Sequence, residues 1–415
     1  MSILQKKINI NEYIKKINLL IITFLPVSLL VGSGVINFLV ILFNVLFIFE
    51  IFKKKDLDFF NDKIFYLLII IWIYLIINAA IGMDFENSIN RSFGFVRFFI
   101  LSYGINYYFS KNNNYFKNFI FKFWCFLFLI VSVDLIFESI MGFNLTGNTS
   151  PDEGRLSGFL GEELKIGNFY FGFVLMALSY LFYTYKSNFI LFIFAIGFII
   201  IALLIGERSN FIKILIIVPL FLLFFQDKNY LKKILVIFIS FTLLSLIIYS
   251  NKNYKERFWI MLLKPLVETS LNPIESLKFS PYGAHYDTAY KIFNNNKFFG
   301  IGLKNFRIES GNIKYRNKEF IFTDARQTTH PHQLHFEILS EIGLIGYLLF
   351  FILFSMSIYR YFKSQKINNN LFQFSSLLFL IATIVPLLPS GSFFTTYSAT
   401  IFWINFSFLI SKNNQ

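Results

Sequence analysis

Four histidines occur in 415 residues, and His330, His332 and His335 lie together in THPHQLHFEILSEIGLIGYLLF, residues 329–350. The stretch begins with imidazoles around a proline and continues as an apolar run of membrane-spanning length. Histidine is the side chain that exchanges protons near neutral pH. Pro331 suits the first turn of a helix, where its missing N–H costs nothing, with Thr329 or His330 as the cap. His332 then falls in the first turn, where the helix dipole disfavours imidazolium and lowers the pKa. A neutral imidazole is what a general base requires. Two other roles suit the same residues. One is a structural helix cap; the other is a metal site of His330, His332 and His335, although no acidic ligands cluster nearby. Phe336, Leu339, Gly343 and Gly346 follow His332 near one helical stripe, and the two glycines permit close packing on another helix.

The elements that must position these groups are helical and apolar. The chain is 56% hydrophobic, contains 59 phenylalanines and has a mean hydropathy of +0.60. No soluble domain carries so much apolar surface. The expected fold is an all-α polytopic membrane protein of about twelve transmembrane helices. The spans are 17–32, 34–52, 64–82, 93–109, 119–141, 166–184, 189–205, 211–226, 231–249, 334–359, 371–388 and 393–411. Residues 1–415 form a single membrane domain, with the first run a retained span rather than a cleaved signal. Two connections are long, 142–165 and 250–333; the second is a large loop between spans 9 and 10 that carries part of the site. The net charge of +14 does not indicate nucleic acid as a partner, because lysines flanking the spans account for it. Cys125, the single cysteine, can form no internal disulfide.

Lysines also give the orientation. With the amino terminus cytoplasmic, inner segments hold nineteen basic residues and outer segments six, the long loop aside. Both termini are then cytoplasmic and both long loops lie outside. Eight of nine arginines nonetheless fall on the outer side, Arg360 being the exception. Topology requires only positive charge, whereas arginine adds a planar fork that grips phosphate or carboxylate. Lipid headgroups are one anion that such arginines could meet; a bound ligand is another. Arg91 and Arg97 lie in NSINRSFGFVRFF, Arg155 in EGRLSGFLGEE, Glu207 and Arg208 in IGERSNF, and Arg257 in YKERFW. Arg97 sits about a turn inside an apolar run, where a charge costs roughly 2.5–3.5 kcal/mol. Asp134 and Glu138, four apart on one face, are candidates to neutralise some of these arginines.

His332-Gln333, nine residues, then Gly343-Leu-Ile-Gly346 matches H-[NSQ]-x9-G-x-x-G, which resembles the signature of the O-antigen ligase family, related to the O-antigen polymerases. Supporting segments are GRLSGFLGEELKIG (154–167), GERSNF, HYDTAYKIFNNNKFFGIGLKNFR (285–307) and PLLPSGSFFTTYSATIFW (386–403). The G-x-G in the third is not a dinucleotide fingerprint, since no βαβ unit surrounds it. Many relatives have an arginine where this chain has His285; if that arginine grips phosphate, the resemblance implies that His285 or Arg257 substitutes for it. The resemblance implies a C-type, inverting glycosyltransferase of the bacterial inner membrane that uses neither metal nor cofactor. Its donor is a glycan on undecaprenyl diphosphate, presented on the periplasmic face. Its acceptor is a hydroxyl of lipid A–core or another glycan; protein O-oligosaccharyltransferases are further relatives. By this resemblance His332 is the base and Arg208, Arg97, Arg155 and Arg257 bind diphosphate. His285, Arg307, Gln333 and Glu207 take supporting roles. A lipid-linked sugar transporter fits less well, because the charges gather at one face rather than at mid-bilayer.

Overall fold

A computed structural model describes residues 10–224, 230–364 and 370–411. Lys6, Lys7, Lys228, Lys366 and Lys412, which enter the charge tally, lie outside the described residues. Helices occupy the expected apolar runs, and no strand occurs among the described residues. The first six are α1 (Ile10–Val31), α2 (Ser33–Lys54), α3 (Lys63–Ile81), α4 (Phe85–Gly94), α5 (Val96–Lys111) and α6 (Phe121–Met141). There follow α7 (Ile166–Tyr185), α8 (Asn188–Leu204), α9 (Arg208–Phe224) and α10 (Tyr230–Ser250). After the long loop, whose main helix is α11 (Pro281–Asn295), come α12 (Leu334–Ser364), α13 (Leu371–Thr383) and α14 (Thr396–Leu409).

Among the described residues, seven helices are long and apolar enough to cross a membrane: α1, α2, α3, α6 with the turns before it, α7, α10 and α12. The remaining five at expected spans, α5, α8, α9, α13 and α14, have 13 to 17 residues. At 1.5 Å per residue they reach only ~20–26 Å, short of a ~30 Å hydrocarbon core. Length and composition therefore assign a multi-pass membrane protein with seven clear crossings.

Local chemistry sets the helix ends. Asp62, Asp84, Ser187, Ser280 and Asn370 each accept a backbone N–H in the first turn of α3, α4, α8, α11 and α13. Aromatic residues fill the bundle: Phe95, Phe99, Phe393 and Trp403 meet in edge-on and tilted pairs between α5 and α14. Large apolar side chains such as Phe38, Ile70 and Phe238 are exposed on the rim, as lipid-facing residues should be.

The two ends of the bundle differ. At one, Arg360 of α12 pairs with Asp62, Lys111 with Asp56, and Lys54 with Glu50. At the other lie the 142–165 and 250–333 connections with the arginine-bearing turns. Asp134 and Glu138 of α6 serve that second end by holding its loop rather than its arginines. Asp134 accepts from Leu145 N at 2.8 Å, and Glu138 accepts from Ser157 N at 3.0 Å and Gly158 N at 2.7 Å.

Candidate functional site

The histidine segment enters α12 differently from the expectation. The helix starts at Leu334, so Pro331 is not in its first turn and His332 is not helical. His332 has φ +59, and its carbonyl accepts from Ser390 N at 2.7 Å. Gln333 caps instead: its side-chain oxygen accepts from Phe336 N at 3.0 Å and its carbonyl from Glu337 N at 2.9 Å. The physical reason is that a left-handed residue cannot continue a helix, and a side-chain acceptor is available one residue later.

His332 packs against His330 with ring centroids 4.0 Å apart, against His285 of α11 at 5.2 Å and against Tyr282 at 5.8 Å. Burial, and then its two imidazole neighbours, push its pKa down to about 3. Burial similarly brings His330 to about 4 and lowers His285. The neutral state expected of His332 is thus present, but desolvation produces it rather than a helix dipole. No protein group among the described residues hydrogen-bonds to the His332 ring, which leaves both nitrogens for a ligand. His285 donates from Nε2 to Ala325 O at 3.1 Å, so its buried Nδ1 is an acceptor without a partner. His335 is placed elsewhere: Nε2 meets Ile384 O at 2.8 Å and Nδ1 meets Tyr347 Oη at 3.1 Å. His330, His332 and His335 therefore do not converge on one point, and no group of three or more His, Cys, Asp or Glu suited to a metal occurs among the described residues.

Two backbone clasps fix this end of the bundle. Gly343, at φ +68 and ψ −171, interrupts α12. Leu344 N and Ile345 N, freed there, donate to Lys297 O at 2.8 Å and Phe298 O at 3.2 Å. In return Ile301 N and Gly302 N reach Ser340 O at 3.1 Å and Glu341 O at 2.8 Å. A side chain at Gly343 would lie 2.6 Å from Gly300 N, and one at Gly300 2.7 Å from Gly343 N. The glycines of the G-x-G and of the histidine motif thus pack backbone to backbone, and non-helical backbone inside the bundle is satisfied by the loop. Gly346 gives the second close approach of the motif, against Tyr74 of α3.

The other clasp joins the 154–167 segment to the turn before α9. Leu156 N donates to Ile205 O at 3.0 Å, and Gly206 abuts the Gly154 backbone. Arg155 pairs with Glu207 at 3.3 Å, while Arg257 donates to Gly206 O at 3.2 Å and meets Asp152 at 3.5 Å. Burial and the nearby charges of Arg155 and Arg208 lower the Arg257 pKa, and Asp152 opposes them. Burial raises that of Glu207, against the pull of Arg155. Arg208 is the least engaged, with one bond from Nη1 to Met261 O at 3.3 Å. Arg155, Arg208 and Arg257 are therefore brought together. Arg97 is not with them: it donates to Gly94 O at 2.8 Å and Thr396 Oγ1 at 3.3 Å, over the Phe98 ring. No hydrogen bond or ion pair among the described residues joins Arg208 to His332 directly.

Cavities surround the 329–337 segment. One of about 540 Å³ begins at Gln333, Leu334 and His335 and runs beside α12 past Phe350 and Phe354 to Ile358, with Ile384, Pro386 and Leu387 opposite. Its wall is almost wholly apolar. A small cavity of about 40 Å³ with a mixed lining lies on another side, where Leu334 and Ser390 face Asn210 and Lys213 of α9. A third, of about 20 Å³, is lined by Arg91, Lys304, Arg307, Thr329, Glu337 and Glu341. Sequence reasoning did not single out Glu337 and Glu341. Both are buried; Glu337 accepts from Ser392 Oγ and from Phe393 N at 2.8 Å, and so pins the 390–395 segment that also holds His332. The available signal was two carboxylates, one turn apart, at the start of an apolar helix.

Comparison with known proteins agrees with the motifs. No curated protein matches the chain. Residues 172–351 match the model of a family described as O-antigen ligase. That region contains Arg208, Arg257, His285, Arg307, His332 and both glycines of the clasp, and it leaves Arg91, Arg97 and Arg155 outside. Family members are glycosyl-transferring enzymes of the ligase and polymerase type. The family match lies across the elements that carry the histidine motif, and over that region the chain is similar to the O-antigen ligase family.

Proposed function

We propose that the protein is a ligase that moves a glycan from undecaprenyl diphosphate to a hydroxyl of lipid A–core. The setting is the periplasmic face of a bacterial inner membrane, within a single domain of twelve crossings. The observation that carries this reading is the position of His332. An uncharged imidazole with free nitrogens immediately precedes Gln333, where a 540 Å³ apolar cavity that runs along α12 begins. A cavity of that character suits an isoprenoid chain.

In the reaction an acceptor oxygen attacks the anomeric carbon from the face opposite the diphosphate. The new C–O bond forms, the old one breaks with inversion, and the electron pair leaves on the diphosphate. His332 takes the hydroxyl proton. Arg208, supported by Arg155 and Arg257, stabilises the departing charge. Arg155 and Arg257 are already partly neutralised by Glu207 and Asp152, so Arg208 is the fork free to rotate onto phosphate. A base held at about 3 is weak in the empty protein. The negative diphosphate raises it towards the working range, which makes proton transfer conditional on bound donor.

Purified protein, incubated with undecaprenyl-diphosphate glycan and lipid A–core, should form the glycosylated core. His332→Ala and Arg208→Ala should insert in the membrane normally and lose transfer, the first by about 10²–10⁴-fold. Wild-type turnover by His332→Ala would remove the base assignment. Lipopolysaccharide gels of a deletion strain identify the acceptor: loss of all O chains indicates a ligase, and core bearing one repeat unit indicates a polymerase.

A further inference from the structure

We infer that Arg91, Lys304 and Arg307 form a second anion site, distinct from the Arg155–Arg208–Arg257 group, that holds one phosphate or carboxylate group of the acceptor saccharide. The inference rests on the proposed transfer reaction, since it assigns what the acceptor must carry.

The three cations line one cavity, contributed by α4 and by the residues just after the G-x-G. Their charges are poorly compensated. Arg91 is half-buried and its side chain makes one hydrogen bond, from Nη1 to Phe394 O at 2.9 Å. The side chains of Lys304 and Arg307 make no hydrogen bond or ion pair among the described residues. Burial lowers the pKa of Arg91 and of Lys304; Glu341, with Glu337 at Arg91, opposes this, and the repulsion of Arg307 adds to it.

Two carboxylates share the cavity wall but face backbone donors. Glu337 is taken by Ser392 and Phe393, and Glu341 accepts from Phe306 N at 3.4 Å. Even with both ionised, three cations against two anions leave a net positive site. Two carboxylates do not match three cations, two of which are partly buried, and a ligand anion would balance the remaining charge.

Size argues for a single anionic group. The cavity holds about 20 Å³, and about 10–15 Å³ admits one water. An oxygen of a monoester phosphate or a carboxylate fits; an esterified diphosphate with lipid on one side and sugar on the other does not. The location suits an acceptor. Thr329, in the cavity wall, bonds to His330 Nδ1 at 2.9 Å, and the His330 ring lies 4.0 Å from that of His332. A saccharide anchored here by its charged group would present neighbouring hydroxyls to the base.

Arg307→Gln is the test, because Arg307 is exposed and bonds to nothing whose loss would unfold the protein. Two measurements are made with detergent-purified protein. In the first, binding of a phosphorylated core saccharide is titrated without donor; Arg307→Gln should weaken it about tenfold, the loss of one charge-assisted hydrogen bond. In the second, the transfer reaction is run with the same acceptor before and after phosphatase treatment. The kcat/KM preference for the phosphorylated form should fall about tenfold in the variant. An unchanged preference, or a rise in KM for the donor instead, would overturn the inference and in the second case assign the three cations to the donor diphosphate. Saccharide binding that depends on Arg307 in a wild-type protein unable to transfer would keep the anion site and remove the transferase reading.

Discussion

Gly343→Ala should be severely damaging for a change of one methyl group. At φ +68 and ψ −171 the position lies in a region open essentially to glycine, so alanine incurs about 1–3 kcal/mol of backbone strain. The added carbon would also stand 2.5 Å from the Phe298 carbonyl carbon and 2.6 Å from Gly300 N. Both are backbone atoms, which cannot rotate away as a side chain would. Relief requires that the 297–302 segment separate from α12, which breaks the bonds from Leu344 N to Lys297 O and from Ile345 N to Phe298 O. At ~0.5–1.5 kcal/mol each they add about 1–3 kcal/mol, for a total of about 2–6 kcal/mol. The thermal midpoint in detergent should fall, protease should cut near residue 300, and transfer should be lost because the bonds from Ile301 N to Ser340 O and from Gly302 N to Glu341 O hold the start of α12 that follows the histidine segment. Gly300→Ala breaks the same contact from the other side. The double variant should therefore cost little more than either single one, a strongly non-additive result. By contrast Gly346→Ala meets only side chains, Ile342 and Tyr74, and should be milder. Equal midpoints for Gly343→Ala and wild type would refute the clasp, as would additive losses in the double variant.

Glu337→Gln should keep the fold yet lower kcat about tenfold or more, since an amide replaces the carboxylate that holds Ser392 and Phe393; a change in acceptor KM alone would contradict a positioning role. Acid should destabilise the protein through its histidines: His332 at about 3 and His330 at about 4 lie below the ~6.5 of an unfolded chain. Between those values the unfolded state binds more protons, so stability is full above about pH 6.5 and falls as pH drops towards 4; a midpoint flat from pH 7 to 4.5 would contradict the burial of this cluster. EDTA should leave transfer intact, and loss of activity restored by a divalent ion would overturn the metal-free chemistry proposed for His332.

Much of the site was legible from spacing. Five quoted segments, separated by up to hundreds of residues, meet at one end of the bundle. Their glycines mark the close approaches: Gly206 on Gly154, and Gly300 on Gly343. Arg155, Arg208 and Arg257 were readable because arginine is not required for topology. The positions of the long helices were readable because apolar run length has to match the hydrocarbon thickness.

Other features depend on contacts that spacing does not encode. Proline placement predicted a helical His332, yet the carbonyl partner Ser390, far along the chain, fixes it in the left-handed region. Arg97 has the residue type of its group but faces Thr396 and Gly94, a matter of helix rotation at the start of α5. His330, His332 and His335 adjoin in sequence, and the tertiary structure divides them by giving His335 to Ile384 and Tyr347. The pairing of His332 with His285, and of Arg91 with Lys304 and Arg307, arises only when the 285–307 segment folds back on α12. Sequence by itself determined which chemical groups exist and that apolar helices carry them, because hydrophobic burial and charge placement act locally along the chain. Which of those groups face one another was decided by tertiary packing, because burial and electrostatic coupling depend on distances through space.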